Sequence, residues 1–198
     1  MRNPAKNRLI IAISGASGIV YGVRLLEMLK ALPVEQKIET HLIMSRAAEV
    51  TLAHETDLKV RDVEKLADVV HANKDIGAAV ASGSFRTMGM IIAPCSMKSL
   101  AEIATGVTDT LLSRAADVIL KERRRLVCMV RETPLHSGHL RNMLSLSDMG
   151  AIIAPPVPAF YAKPESIADM VDHSVGRVLD LFDIDSGTVR RWKEDAAP

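Results

Sequence analysis

Hydroxyl and amide donors gather behind three apolar runs of this chain, and those places are where chemistry can be done. Leu9, Ile10, Ile11, Ala12 and Ile13 are followed by Ser14-Gly15-Ala16-Ser17-Gly18 and then by a helical pattern. A helix starting there aims its free N–H groups and the positive end of its dipole into the turn, which suits a phosphate. Gly15, Gly18 and Gly22 let backbone approach backbone, or a ligand, where a Cβ would clash. Ser45 closes a second apolar run, and Ser96 and Ser99 follow Pro94-Cys95 at a third. Ordinary N-capping accounts for any one of these serines. Their shared location favours a ligand, because caps need no common place. Arg131-Glu132 ends a further apolar run with a cation beside a carboxylate, donors and acceptor for an anion and a proton.

Alternating strands and helices must position these groups. Residues 9–13, 38–44, 88–93 and 126–130 read as strands and 151–154 as a short one. Helical spacing covers 19–32, 97–104, 111–122 and 136–149. Ser45 caps a helix over 46–54, with Glu55-Thr56-Asp57 as a loop, and Ser166 caps a last helix to about 182, with Asp169 closing a capping box. Residues 60–83 are the least legible, with a short helix near 63–66 and a strand near 69–70. Pro155-Pro156-Val157-Pro158 is a stiff loop. With no linker or repeat, residues 1–198 form a single domain. The fold class is α/β: one doubly wound, mostly parallel sheet with helices on both faces. Chemistry is expected beyond the carboxyl ends of the strands, near a switch in strand order.

The composition narrows the function. A formal charge of +1 in 198 residues argues against a general nucleic-acid binder. The basic run 121–125 is broken by Glu122 and also reads as a helix C-terminus complementing the dipole. Two cysteines make no disulfide framework, which fits a reducing, cytoplasmic setting. The N-terminal apolar run is too short for a signal-peptide core, and no stretch is long enough to span a bilayer. A dinucleotide fold would show G-x-G-x-x-G and an acidic residue after the second strand, where this chain has Met44-Ser45-Arg46. Hydroxyl-rich turns suit a mononucleotide phosphate and a flat ring better. Aromatic residues are only 3%, so Phe160, Tyr161 and Trp192, late in the chain, are candidates for a site.

Taken in order, several motifs resemble the UbiX flavin prenyltransferases. They are Ser14-Gly15-Ala16-Ser17-Gly18 with Tyr21-Gly22, Pro94-Cys95-Ser96, Arg114-Ala115-Ala116-Asp117, Lys121-Glu122-Arg123-Arg124, Arg131-Glu132-Thr133-Pro134 and Phe160-Tyr161. The resemblance runs from about residue 9 to 192. It implies a Rossmann-like flavoprotein that assembles as a homododecamer, with its active site where subunits meet. It implies transfer of a dimethylallyl group from dimethylallyl phosphate to N5 and C6 of reduced FMN. The product, prenylated FMN, is the cofactor of UbiD-type decarboxylases in ubiquinone biosynthesis or aromatic acid decarboxylation.

The resemblance also implies site roles. Gly15, Ala16, Ser17, Ser45, Ser96, Met97, Lys98, Ser99, Arg114 and Arg131 match FMN-binding positions. Lys121, Arg131, Tyr161 and Arg177 would hold the dimethylallyl phosphate, and Ser17, Glu55, Lys121, Glu132 and Trp192 match catalytic positions. Forked arginine donors and a lysine point charge suit phosphate oxygens, Glu132 can relay a proton, and Tyr161 and Trp192 can face an allylic cation. Bland readings stand beside these. Tyr161 can simply cover the sheet end, Trp192 can pin the tail, and Arg177, Lys121 and Arg131 can be surface charges. Position 125 is Arg where relatives often have Pro. A flavin-dependent cysteine-type decarboxylase and a non-catalytic FMN carrier for a partner decarboxylase are the alternatives.

No metal is expected. Asp180, Asp183 and Asp185 lack a matching second acidic cluster and read as a solvated helix end. His136-x-x-His139 lacks a third ligand nearby in sequence and reads as solvated or capping histidines. Cys95, placed before a helix, reads as a small buried residue rather than a low-pKa thiol.

Overall fold

Strand β1 (Arg8–Ile13) is apolar at every position from Leu9 to Ile13, and none of these residues is exposed. Such a strand must be covered on both faces, and the helices packed on either side of the sheet do this. The computed structural model describes residues 7–192. By backbone contacts the chain groups into two compact units, Met1–Pro155 and Pro156–Pro198.

The first unit holds β1, β2 (Glu39–Met44), β3 (Val69–Ala72), β4 (Gly89–Cys95), β5 (Arg125–Val130) and β6 (Ile152–Ile153). They form a six-stranded parallel sheet in the order β3-β2-β1-β4-β5-β6. The order reverses between β1 and β4, which places the ligand crevice of a doubly wound sheet at their carboxyl ends. Ile10 and Ala12 belong to a core shared with α4 (Met97–Thr105), α5 (Leu111–Lys121) and α6 (Ser137–Asp148). Ile13, of opposite parity along β1, faces α1 (Ile19–Lys30): a Cβ on Gly22 would stand 2.8 Å from Ile13 Cδ1 and 2.3 Å from the Ala93 carbonyl oxygen. Gly22 therefore serves close packing of α1 on the sheet.

Helices α2 (Arg46–Glu55) and α3 (Val60–Glu64) connect β2 to β3. Glu55 is the last residue of α2 and not the start of a loop. Pro94 and Cys95 extend β4 beyond residue 93, with a register shift against β5 between Ile92 and Cys95. Among the described residues, no helix is long and apolar enough to cross a membrane.

The second unit is built on α7 (Ile167–Asp180), opened by the expected capping box of Ser166 and Asp169. The segment after it folds back along the helix, because Gly176 carries no Cβ that would meet Thr188 Oγ1 at 2.5 Å. Thr188 Oγ1 donates to the Asp172 carbonyl, 3.1 Å, and Arg190 donates to the Ala162 carbonyl, 2.8 Å.

Candidate active site

At the switch point the turns after β1 and β4 are tied together. The Ser14 hydroxyl donates to the Pro94 carbonyl, 2.8 Å, and accepts from the Ser96 amide, 2.7 Å. Ser96 is the N-cap of α4, its hydroxyl accepting from the Ser99 amide at 3.3 Å. First-turn amides of a helix have no partners within it. With Ser99 capped, those of Met97 and Lys98 remain as donors facing the strand ends. The Lys98 ammonium pairs with Glu102, 2.8 Å. Ser45 caps α2 in the same way, accepting from Ala48 N at 3.1 Å, and its own amide donates to Ile13 O, 3.0 Å. The capping and ligand readings of these serines are thus compatible, since each cap fixes a turn at the sheet's carboxyl edge.

The first turn differs from the expectation that it cradles a phosphate. Gly18, at φ +94, is the N-cap of α1 and offers no side chain. Its amide and that of Ile19 donate to the Glu55 carboxylate, each 2.9 Å from Oε2. The anion at this helix end belongs to the chain. Burial raises the Glu55 pKa, but the Ser17 hydroxyl, the Ile19 and Gly18 amides and the Arg131 charge together outweigh it, and the carboxyl ionises below its ordinary value. Burial pushes the Tyr21 phenol up, against a smaller opposing pull from Arg131. Ser17, Tyr21, Glu55 and Arg131 therefore share one electrostatic neighbourhood. Gly15 lies against α2, where a Cβ would stand 2.3 Å from Ala47 Cβ, and its carbonyl accepts from Thr51 at 3.3 Å.

Arg131 follows β5, and its amide donates to the Cys95 carbonyl, 3.1 Å, which sets it beside the Ser96 turn. Glu132, next in sequence, is exposed and accepts from Thr133 N, 3.0 Å. Arg114, in the first turns of α5, pairs with Asp117 at 2.9 Å. Lys121 is not brought to this edge. It ends α5, four residues before β5 begins, and pairs with Glu122 at 2.6 Å. β5 spans about 20 Å at the usual strand rise, so one chain holds Lys121 and Arg131 at opposite ends of it.

In the second unit, Tyr161 stands edge-on to Trp192, ring centroids 5.4 Å apart, and to His173 at 5.7 Å. Its hydroxyl lies 3.4 Å from His173 Nε2. Arg177 pairs with Asp180, whose carboxylate also takes both terminal nitrogens of Arg191 at 3.1 Å. Asp180 is thus an arginine tie and not a solvated helix end. Arg177 thus carries an ion pair within its own helix.

Other sequence features resolve simply. His136 caps α6, its Nδ1 accepting from Gly138 N at 3.0 Å. Cys95 is buried against Cys128, whose contact together with burial holds its pKa well above the ordinary thiol value. Sequence reasoning missed Asn73, whose carbonyl and side-chain oxygens accept the Leu111 and Leu112 amides at 2.8 and 3.0 Å and so hold the start of α5. Asn73 directly follows β3, and a polar residue at a strand's carboxyl end is the signal that marks it.

A sheet in this order, with hydroxyl caps and helix amides at its switch point, defines a doubly wound, Rossmann-like domain. Comparison with known proteins narrows the class. The Flavoprotein family model matches residues 1–179. The flavin prenyltransferase UbiX of Escherichia coli K12 is 58% identical over 177 residues, covering 89% of this chain and 92% of that protein. The crystal structure of AnUbiX (PadA1) in complex with FMN and dimethylallyl pyrophosphate superposes with a TM-score of 0.91 at 53% identity, over 95% of this chain and 98% of that one. A dodecameric FMN-dependent UbiX-like decarboxylase from E. coli O157:H7 gives 0.90 at 50% identity, over 94% and 99%. The chain belongs to the UbiX flavin prenyltransferases.

Proposed function

We propose that this protein transfers the dimethylallyl group of dimethylallyl phosphate to N5 and C6 of reduced FMN, releasing prenylated FMN and phosphate. The carrying observation is the 58% identity to a flavin prenyltransferase over nearly the whole of both chains. Reduced FMN supplies the nucleophilic ring atoms. The residues present suit it: hydroxyls of Ser17, Ser45, Ser96 and Ser99, backbone at Gly15, Ala16, Met97 and Lys98, and the cations Arg114 and Arg131.

The chain's own work is charge and proton management. Breaking an allylic C–O bond leaves negative charge on phosphate, and Lys121, Arg131 and Arg177 neutralise it in place of a metal. Tyr161 binds the donor, and Trp192 offers a π face to the developing cation. Glu132 relays a proton to or from phosphate, and Ser17 with Glu55 forms the polar wall beside the flavin ring. Lys121 and Arg131 lie at opposite ends of β5, so a clamp using both draws them from different copies of the chain. The dodecamer of the E. coli O157:H7 relative is the pattern for this homo-oligomer. A UbiD-type decarboxylase is the recipient of the product, and the free thiols of Cys95 and Cys128 fit a cytoplasmic site of action.

Phosphate release tests the reading. Under anaerobic conditions, orthophosphate should appear from dimethylallyl phosphate only with reduced FMN, and the filtrate should activate a UbiD-type apo-decarboxylase. Because AnUbiX was crystallised with dimethylallyl pyrophosphate, the diphosphate is run in parallel. Release from neither donor by flavin-loaded protein would overturn the reading in favour of a carrier or a cysteine-type decarboxylase.

A further inference from the structure

Ser14 has no place in the roles above, yet it is 1% exposed and holds the two halves of the switch point together. The ladder between β1 and β4 runs from Leu9 opposite Gly89 to Ala12 opposite Ile92 and goes no further. Beyond it, β4 shifts register against β5, its other neighbour, between Ile92 and Cys95. Ser14 supplies the connection there. Its amide donates to the Pro94 carbonyl at 3.2 Å, its hydroxyl donates to the same carbonyl at 2.8 Å, and its oxygen accepts the Ser96 amide at 2.7 Å.

A serine hydroxyl has one proton. Here it is committed to Pro94, so Ser14 has no donor left for a ligand. What it fixes is Ser96, the residue whose extended backbone and side-chain cap set the direction of the first α4 amides. We infer that Ser14 is a positioning residue for flavin binding, acting through the Ser96 amide to aim the 96–99 turn at the FMN phosphate. The inference rests on the reading of that turn as FMN-binding. Without the hydroxyl, the partly buried Ser96 amide loses its partner and the Pro94 carbonyl keeps only the Ser14 amide, so the turn that depends on them loses its fixed geometry.

The isosteric pair Ser14→Thr and Ser14→Val tests this, since the two differ only in the hydroxyl, with Ser14→Ala as the smaller variant should both branched side chains overpack. FMN and riboflavin affinities are measured by flavin fluorescence on the full-length protein, well below each variant's thermal midpoint. The expected result is FMN affinity near wild type for Thr, a loss of about tenfold or more for Val or Ala, and little change toward riboflavin, which lacks the phosphate. A merely structural role would lower the midpoint and leave the FMN affinity of the folded protein unchanged, which would overturn the inference. Equal losses in Thr and Val together with wild-type FMN affinity in Ala would overturn it as well. If the wild-type protein itself binds no FMN, the flavin reading fails, and this inference with it.

Discussion

The Glu55 carboxylate accepts the amide of Ile19 at 2.9 Å, so the C-terminal residue of α2 caps the N-terminus of α1 across 36 residues of sequence. Its ionisation below the ordinary value gives a pH signature. The carboxyl contributes stability above the unfolded-state pKa, and that contribution is lost as pH falls through the lower folded value. Glu55→Ala should cost about 1 kcal/mol near neutral pH, the usual worth of a helix cap. Urea denaturation of both proteins should show the difference shrinking toward about pH 3, below the carboxylate range. A difference constant with pH would contradict the charged cap.

A second titration lies at the far edge of the sheet. His41, buried on β2, bridges Glu39 at 2.8 Å and His71 of β3 at 2.9 Å, while Glu39 also pairs with Arg8 at 3.0 Å. Phe85 packs edge-on against the His41 ring, centroids 5.2 Å apart. Burial and then the neighbouring His41 lower the His71 pKa, and Asp75 opposes them weakly. Stability from keeping His71 neutral is full above the ordinary histidine pKa and is lost as pH falls toward the lowered folded value. The wild-type thermal midpoint should therefore drop between about pH 7.5 and 5.5, and His71→Gln should flatten that drop. An unchanged slope in the variant would assign the pH dependence elsewhere.

Gly22 is a packing residue, and its replacement has a defined cost. A Cβ there would sit 2.3 Å from the Ala93 carbonyl oxygen, which is backbone and cannot swing aside. Gly22→Ala should destabilise by about 1–3 kcal/mol, as overpacking does. Gly150→Ala, where nothing lies within 4 Å of the new carbon but φ is +99, isolates backbone strain without a clash. Denaturation midpoints for the pair separate the two costs.

The placement of Lys121 and Arg131 at opposite ends of β5 gives a subunit-mixing test. Lys121→Ala and Glu132→Gln should each abolish most turnover alone. Hybrids assembled by co-expression should regain part of it, because some sites then draw an intact Lys121 from one copy and an intact Glu132 from another. Hybrids as inactive as the parents would mean that both residues serve a site within one chain.

Much of this architecture was readable because β1, β4 and β5 are buried on both faces and almost wholly apolar, and β2, though it opens on Glu39-Thr40-His41, ends in the apolar run Leu42-Ile43-Met44. β3 was hard to place because it is a four-residue edge strand with alternating half-exposed positions, and α3 is only five residues long. The serine turns could be found from their position behind apolar runs. Their partnerships could not, since Ser14 and Ser96 meet across 82 residues and Gly18 meets Glu55 across 37. Nothing in the spacing near Gly18 announces that its helix end is filled by a distant glutamate. The separation of Lys121 from Arg131, by contrast, follows from their places before and after one strand. The roles of Tyr161, Arg177 and Trp192 came from the family resemblance and not from any local pattern.

Prenyl transfer is tested most directly by the mass of the flavin released after anaerobic incubation with reduced FMN and dimethylallyl phosphate. Wild-type protein should release a flavin heavier by one five-carbon prenyl unit, and Arg131→Ala protein should not. Unmodified FMN from folded, flavin-loaded wild-type protein, with the phosphate and the diphosphate donor alike, would contradict prenyl transfer.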